Sequence, residues 1–275
     1  MKQDHIVLWE AHRGGGGGFE MPESCMASFE YGWLLGGRPE ADVNETADGR
    51  IVSVHDRTLD RIIPDLPPEL KGKEIHEISS VDLRTLSPGG SEFPGQRIPF
   101  LDDLLEKLQA GSSRHMVLDY KRVELPKLAA LIARYRVAKQ LTFASCEIEK
   151  CREIKRLLPE IRIKLWIGGS AAAIEQRFQL AASKYMELFD EIQLHLNDAE
   201  SPDEESWRYQ LSRRMIADAL TETGKHGVLL QVLPWTFEKH DIFRILDLNV
   251  RSFAVDYPIR FLRACAEYFT MRREK

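Results

Sequence analysis

The sequence has few cysteines and lacks the long apolar run that a membrane-spanning helix needs. No apolar stretch approaches the roughly 18 residues of such a helix, so no transmembrane segment is predicted. The four cysteines have a spacing that matches no zinc-binding or redox motif. They are Cys25, Cys146, Cys151 and Cys265. We therefore expect reduced thiols that act as packing residues in a cytoplasmic protein.

The chain also lacks a strongly basic region. Its net charge is -5 at pH 7 and no stripe of lysine and arginine occurs, so nucleic acid is not an expected partner. The first residues, MKQDHIVLWEAH, are too short and too acidic for a signal peptide, and none is expected. Of the 275 residues, 43% are hydrophobic and 29% are charged, which is typical of a folded protein with a sizeable core. The composition does not indicate an oligomeric state.

Short β-rich runs alternate with amphipathic helical stretches and form eight principal strand–helix units. Eight such units in about 250 residues predict an α/β fold, the (β/α)8 TIM barrel, as one domain over residues 1–275. A doubly wound open sheet is the alternative, but it usually has fewer strands at this length. The proline-rich residues 57–98 are predicted to be an excursion from the alternation. Two of the helices are predicted over Glu23–Leu35 and Glu204–Thr223.

Two carboxylates lie close together on the second predicted strand, near its end, where the reactive groups of a barrel are expected. Glu40 and Asp42 are two residues apart, so their side chains share one face of the strand. Carboxylates held together need a proton or a cation, and Mg²⁺ or Ca²⁺ with oxygen ligands would satisfy them. Asp119, on a neighbouring strand, could complete a set of three. A solvated strand end with arginine partners is the alternative.

His12 and His55 each follow a predicted strand. Because imidazole titrates near neutral pH, two histidines at one site could serve as general acid and general base. Each alone could equally be a structural or surface histidine. Arg13 and Lys121 add fixed positive charge. A divalent ion, these cations and two imidazoles together suit a phosphate ester, since the cations neutralise phosphoryl oxygens and the imidazoles move protons.

Five consecutive glycines, Gly14 to Gly18, follow His12 and Arg13. The run is too uniform for a dinucleotide-binding fingerprint, which needs spaced glycines. Glycine lets the backbone approach a ligand and present its N–H groups. A mobile lid and an incidental flexible run are the two alternatives.

Motifs along the chain resemble the glycerophosphodiester phosphodiesterases, a family related to the sphingomyelinase D-type phospholipases. The specific matches are HRG at 12–14, PES at 22–24 and EADVNETADGRIVSVHDRTLDR at 40–61. Weaker matches follow in the right order: IPFLDDLLEKL, LDYK, FAS, VLPWT and VDYP. The resemblance spans nearly the whole chain. It implies a TIM barrel with a small insertion after the second strand, at residues 57–98, and cleavage of glycerophosphodiesters to glycerol 3-phosphate and an alcohol.

The resemblance also implies roles for particular residues. The family's catalytic histidines fall on His12 and His55. Its metal-binding positions fall on Glu40, Asp42 and Asp119. Its phosphate-contacting positions fall on Arg13 and Lys121. The implied cofactor is a divalent metal ion, Mg²⁺ or Ca²⁺. Three departures from the family pattern bear on substrate preference more than on catalysis: Asp119 replaces the usual glutamate, Ser24 replaces the asparagine of P-E-N-T, and Val255 replaces the threonine of T-D-Y-P.

Two residues near the ends of later strands are predicted to contact the substrate. Trp235 matches the tryptophan of the family's W-T pair, and His195 lies at a similar point of another strand. An aromatic wall there would pack on the glycerol or the leaving alcohol. The alternative is a core-capping Trp235 and a solvated His195.

Two other functions stay open from the sequence. One is a lyase, in which a substrate hydroxyl attacks phosphorus and releases a cyclic phosphate. The other is a catalytically silent barrel that binds phosphodiesters or a partner protein. The retained His12, His55, Arg13 and Lys121 argue against the silent barrel.

Overall fold

The computed structural model describes residues 6–17, 20–200 and 207–273, and of Arg273 it describes the backbone only. The strands of this part are β1 (Leu8–Ala11), β2 (Arg38–Glu45), β3 (Ile51–Ser53), β4 (Met116–Arg122), β5 (Leu141–Ser145), β6 (Arg162–Ile167), β7 (Glu191–Leu196), β8 (Leu229–Pro234) and β9 (Ser252–Val255). The α-helices are α1 (Met26–Leu34), α2 (Ser80–Leu83), α3 (Leu101–Gln109), α4 (Leu125–Tyr135), α5 (Ile148–Leu157), α6 (Ala171–Lys184), α7 (Arg213–Lys225), α8 (Lys239–Asp247) and α9 (Pro258–Arg273). The predicted alternation is present: β3 and α2 are additions to eight strand–helix pairs.

The chain divides into two compact units, one of residues 11–162 and one of residues 163–275 together with the segment before residue 11. In the 11–162 unit, β4 lies between β2 and β5 and is parallel to both. β3 pairs antiparallel with the end of β2, at Val43 to Glu45. The register sets Asp42 opposite Asp119 on the neighbouring strand.

The segment that follows β3 folds against its own apolar cluster. It contains short 3-10 turns at Pro68–Leu70 and Ile75–Glu77, and the single turn of α2. Buried side chains from this segment, among them Leu59 and Ile78, pack with Phe100, which precedes α3. The excursion is therefore a packed part of the 11–162 unit rather than a linker.

In the 163–275 unit, β6, β7, β8 and β9 form successive parallel pairs. Its interior holds a buried polar network. Lys164 Nζ donates to both carboxylate oxygens of Glu10, at 2.6 and 2.7 Å, and neither side chain is exposed. Gln231 Nε2 donates to Ser252 Oγ, and Ser252 Oγ donates to Glu191 Oε1. A buried charge is tolerated only when it is paired and hydrogen-bonded in this way.

Two predicted helix starts are wrong. α1 begins at Met26 rather than Glu23, because Ser24 has a φ of 55°, which a right-handed helix cannot contain. α7 begins at Arg213 rather than near Glu204, since the Ser212 hydroxyl accepts from Met215 N and caps the helix there. Residues 204–206 of that prediction lie outside the described residues. No helix in the described part of the chain is long and apolar enough to cross a membrane.

Candidate active site

The predicted carboxylates converge on two adjacent strands of the 11–162 unit. On β2, alternate side chains share a face, and Glu40 and Asp42 are both buried. Asp119, on β4, is buried opposite Asp42. Lys121, two residues further along β4, places its Nζ 2.7 Å from Asp119 Oδ2 and 3.2 Å from Asp42 Oδ1. One ammonium group therefore lies against two carboxylates.

Asp42 is the least satisfied of these groups. Its side chain is 1% exposed, and neither of its carboxylate oxygens has a hydrogen-bond partner among the described residues. Burial by itself would raise the pKa of Asp42, but nearby positive charge, that of Lys121 first and also that of Arg13, holds this pKa below its ordinary value. The carboxylate is thus ionised by nearby positive charge and not by hydrogen bonds.

The pKa of Lys121 shifts in the complementary direction. Burial would lower it, but the charges of Asp42 and Asp119 raise the pKa of Lys121 above its ordinary value. The ammonium form is therefore fixed at every pH at which an enzyme works.

The two predicted histidines face each other across a short gap. His12 follows β1 and His55 follows β3, and their ring centroids are 6.2 Å apart at an interplanar angle of 79°. His12 Nε2 lies 3.7 Å from Glu40 Oε2. The structure therefore brings together two imidazoles that are 43 positions apart in the printed sequence.

Hydrogen bonds select one tautomer of His55. Its Nε2 lies 3.3 Å from Arg13 Nη2, and a guanidinium can only donate, so Nε2 accepts. Nδ1 then carries the hydrogen and donates to Asp56 Oδ1 at 2.8 Å. Burial lowers the pKa of His55, against the opposing charge of Asp42. A neutral imidazole with its acceptor at Nε2 follows from both observations.

Arg13 is held from several sides. Its backbone N donates to Glu40 Oε2 at 3.2 Å, and Nη1 donates to Glu23 Oε2 at 3.0 Å. Its φ of 55° is a left-handed value that an arginine adopts only when its surroundings impose it. The loop conformation therefore directs this guanidinium toward His55.

Sequence reasoning missed the groups that support Arg13 and His55. Glu23 accepts from Arg61 Nη2 at 2.7 Å and from Arg61 Nη1 at 2.9 Å, in addition to Arg13. Arg61 Nε also donates to Asp56 Oδ2 at 2.7 Å. A continuous chain of hydrogen bonds thus runs from Glu23 through Arg61 and Asp56 to His55. The signal was present, since Glu23 belongs to the PES match at 22–24 and Arg61 is the last residue of the match at 40–61.

The described part of the glycine loop, Gly14 to Gly17, is bonded and packed. The backbone N–H groups of Gly16 and Gly17 donate to the His12 carbonyl at 2.9 and 2.7 Å. A Cβ added at Gly14 would lie 2.7 Å from Ser28 Oγ on α1. Glycine is required here because the loop backbone lies too close to α1 to leave room for a side chain. Gly18 lies outside the described residues.

His195 and Trp235 lie together in the 163–275 unit. The His195 ring stacks on Trp166, with centroids 5.3 Å apart and an interplanar angle of 8°. Trp235 meets the same imidazole edge-on, also at 5.3 Å. A Cβ at Gly168 would come within 2.7 Å of His195 Nδ1, so a glycine makes room for the ring. Trp166 was not predicted, because its strand, β6 (Arg162–Ile167), contains none of the motifs that resemble the family.

A divalent metal ion finds suitable donors in the 11–162 unit but no ready-made cluster. Within residues 6–17, 20–200 and 207–273, no group of three or more His, Cys, Asp or Glu side chains is arranged to hold an ion. Lys121 lies instead against Asp42 and Asp119. The donor chemistry nevertheless fits Mg²⁺ or Ca²⁺: all three carboxylates supply hard oxygens, and those of Asp42 are buried without a hydrogen bond.

Comparisons with known proteins point in one direction. Residues 12–260 match the model of the glycerophosphoryl diester phosphodiesterase family. A relative from Caldanaerobacter subterraneus subsp. tengcongensis, named glycerophosphodiester phosphodiesterase, is 26% identical over 258 residues, which are 90% of this chain and 93% of the relative.

Solved structures of low sequence identity share the fold. A glycerophosphodiester phosphodiesterase from Agrobacterium tumefaciens is 21% identical with a TM-score of 0.70, covering 93% of this chain and 99% of its own. An Oleispira antarctica phosphodiesterase, solved with the product sn-glycerol-3-phosphate, is 19% identical with a TM-score of 0.69, covering 94% and 96%. The predicted (β/α)8 TIM-barrel fold is confirmed.

Proposed function

Because the chain belongs to the glycerophosphoryl diester phosphodiesterase family, we propose that it hydrolyses glycerophosphodiesters to glycerol 3-phosphate and an alcohol. The observation that carries the proposal is the pair of facing imidazoles, His12 and His55, beside Arg13 and a set of buried carboxylates. The Oleispira antarctica relative, solved with sn-glycerol-3-phosphate, supports the same product here.

His55 is the proposed general base. Its neutral ring presents Nε2 as the acceptor, so this atom would take up a proton during the reaction. Asp56, bonded to Nδ1, would stabilise the imidazolium that forms and keep the ring in one orientation. His12, which faces His55, is the proposed second member of the acid–base pair.

Arg13 and Lys121 are the proposed phosphate-binding groups. A guanidinium matches two phosphoryl oxygens at once, and its charge is worth most where the negative charge grows in the transition state. Glu23 and Arg61 position Arg13 by the bonds described above, so less reorganisation is needed when substrate binds.

Glu40, Asp42 and Asp119 are the proposed ligands of a divalent metal ion, Mg²⁺ or Ca²⁺. When bound, such an ion would neutralise charge on the phosphoryl oxygens. The unsatisfied oxygens of Asp42 support this assignment.

The presence of four free cysteines supports a cytoplasmic location, where thiols stay reduced.

The decisive experiment measures release of glycerol 3-phosphate from a panel of glycerophosphodiesters, with and without a chelator. We expect release that the chelator abolishes and that added Mg²⁺ or Ca²⁺ restores. Phosphorus NMR of the product gives the second readout, because a cyclic phosphate has its own chemical shift and would indicate a lyase. A protein that binds the diesters but turns none of them over would contradict the proposal.

A further inference from the structure

A cavity of about 370 Å³ opens beside His55 and Lys121 within the 11–162 unit. One wall comes from the insertion at residues 57–98, through Arg57 and the turn that holds Glu74 and His76. The opposite wall is the end of β4, where Arg122 directly follows Lys121. The insertion therefore shapes a space that begins at the proposed base and at a proposed phosphate-binding cation.

Positive charge is in excess along this cavity. Arg57, Lys121 and Arg122 line it, while Glu74 is the lining carboxylate. Even if Lys121 is set aside because Asp42 and Asp119 neutralise it, two guanidinium groups remain for one carboxylate.

Glu74 already contacts the surrounding cations. Arg122 Nη1 donates to Glu74 Oε2 at 2.9 Å, and Arg57 Nη1 lies 3.9 Å from Glu74 Oε1. Arg122 Nη1 also lies 3.0 Å from His76 Nδ1. Within the described part of the chain both guanidinium groups make these contacts through Nη1, and each guanidinium carries further N–H donors.

We propose that this cavity receives the leaving alcohol of the diester and favours an alcohol that carries an anionic group. The inference rests on the proposed function. The scissile phosphate is expected near His55 and Lys121, so Arg57 and Arg122 lie one group beyond it. Glycerol has only hydroxyl groups to offer these cations, whereas a carboxylate or phosphate would bond a guanidinium in two places.

The cavity is correspondingly poor for a quaternary ammonium. Such a cation binds in a cage of aromatic rings or against carboxylates that are not already paired. Among the lining residues, Tyr120 is the aromatic side chain, and Glu74 is shared among Arg122, Arg57 and His76. A choline leaving group would meet two guanidinium groups of like charge.

The test compares glycerophosphoserine with glycerophosphoethanolamine, since these two substrates differ by one carboxylate on the leaving alcohol. We expect kcat/KM to be roughly tenfold higher for the serine diester, as a charge-assisted hydrogen bond would give. Glycerophosphoinositol 4-phosphate against glycerophosphoinositol repeats the comparison with a phosphate and tells which anion is preferred.

Two variants remove the guanidinium groups, Arg57→Gln and Arg122→Gln. Each is expected to bring the ratio of kcat/KM values for the serine and ethanolamine diesters toward one. The Arg57 side chain is 87% exposed, so its variant should fold normally even if the Arg122 variant does not. Arg97→Gln is the matched control, an exposed arginine of the same insertion that does not line the cavity, and it should keep the parent ratio.

Each result decides a different question. Equal kcat/KM for the two substrates, or a preference for the choline diester, overturns the inference and leaves the proposed function intact. An unchanged ratio in both variants overturns the assignment of Arg57 and Arg122. Hydrolysis of no diester in the panel overturns the proposed function and this inference together.

Discussion

Two lysines in two regions of the molecule face buried carboxylates, and the carboxylates differ in what is left unsatisfied. In the 163–275 unit, Lys164 is fully buried and bonds both oxygens of Glu10. In the 11–162 unit, the Lys121 side chain is 22% exposed, and neither oxygen of Asp42 has a hydrogen bond among the described residues. The first group is complete as it stands, and the second is not.

The difference is the one expected between a structural use of buried charge and the functional use that we propose for Asp42. A closed pair such as Lys164 and Glu10 gains from its own Coulomb attraction and offers nothing to a ligand. An ionised carboxylate held by charge alone keeps lone pairs that a cation can use. A buried polar group by itself therefore says little about function. A buried polar group that lacks hydrogen-bond partners is the informative observation.

The largest effect on activity is expected from the two imidazoles that lie beside Asp42. His12→Ala and His55→Ala should each lower kcat/KM by roughly 10²–10⁴-fold, because proton transfer by a positioned side chain is lost. Release of glycerol 3-phosphate measures it, and circular dichroism checks that both variants fold. His240→Ala, on an exposed face of α8, is the matched control. Near-native turnover of either active-site variant would mean that the acid–base pair is misassigned.

The buried pair of Lys164 and Glu10 should contribute to the free energy of unfolding. Lys164→Met leaves the Glu10 carboxylate buried without its partner, so the free energy of unfolding should fall by about 3–5 kcal/mol. Urea denaturation measures this loss. The double variant Glu10→Leu with Lys164→Met should recover most of it, and Lys225→Met, at an exposed helix end, should change stability by less than about 0.5 kcal/mol. A loss below about 1 kcal/mol in the single variant would contradict a structural role for the pair.

Asp56 lies beside the candidate site, where it bonds His55, but its own carboxylate is fully hydrogen-bonded like that of Glu10. Burial would raise its pKa, but bonds from Arg61 and His55 lower it from 3.8 to about 2. A lowered folded-state pKa stabilises the fold above pH 3.8, and this stabilisation is lost as pH falls from 3.8 toward 2.

Asp56→Asn should therefore cost about 2 kcal/mol of stability near neutral pH, and the difference from the parent should vanish by about pH 2. Urea denaturation at a series of pH values measures it. A difference between parent and variant that stays constant across this range would show that the charge of Asp56 is not the source.

A variant of Asp119 tests whether the carboxylates around Asp42 bind a metal ion. If it is a metal ligand, Asp119→Asn should weaken Mg²⁺ or Ca²⁺ binding by roughly tenfold or more, since one anionic ligand is lost. Isothermal titration calorimetry measures the affinity directly, and excess metal should partly restore turnover. Asp119→Glu supplies the family's usual ligand and should stay active. Full activity of the parent in chelator would refute the metal assignment.

The smallest effect is expected in the aromatic group of the 163–275 unit. Trp235→Ala should change the relative rates for different glycerophosphodiesters by roughly two- to tenfold, the value of an aromatic contact. Trp235→Phe keeps a ring and should retain the parent's order of preference. Unchanged relative rates in Trp235→Ala would identify Trp235 as a packing residue.

The fold, and the convergence of the candidate site residues on neighbouring strands, could be predicted from the sequence because both depend on local patterns. The alternation of strands and helices has a period that reads directly, and E-x-D on a strand puts two carboxylates on one face. Ser24 shows the limit: its left-handed φ of 55° delays α1 by three residues, and no local propensity of serine predicts it.

Side-chain networks were harder to foresee. Arg61 bonds Glu23 across 38 positions, and Lys164 bonds Glu10 across 154. Such pairs depend on the three-dimensional packing of distant strands and loops, for which one sequence gives no register. The position of Lys121 between Asp42 and Asp119 was likewise unpredicted, although all three residues had been singled out.

The glycine loop has a consequence for engineering the stability of this protein. Ordering glycine costs roughly 0.5–1 kcal/mol more per residue than ordering alanine, so the loop after His12 is thermodynamically expensive. The usual remedy of replacing glycine with alanine is blocked: Gly14 and Gly15 would clash with Ser28, and Gly16 and Gly17 have positive φ values. A thermostable variant must therefore gain its stability from substitutions outside the loop that follows His12.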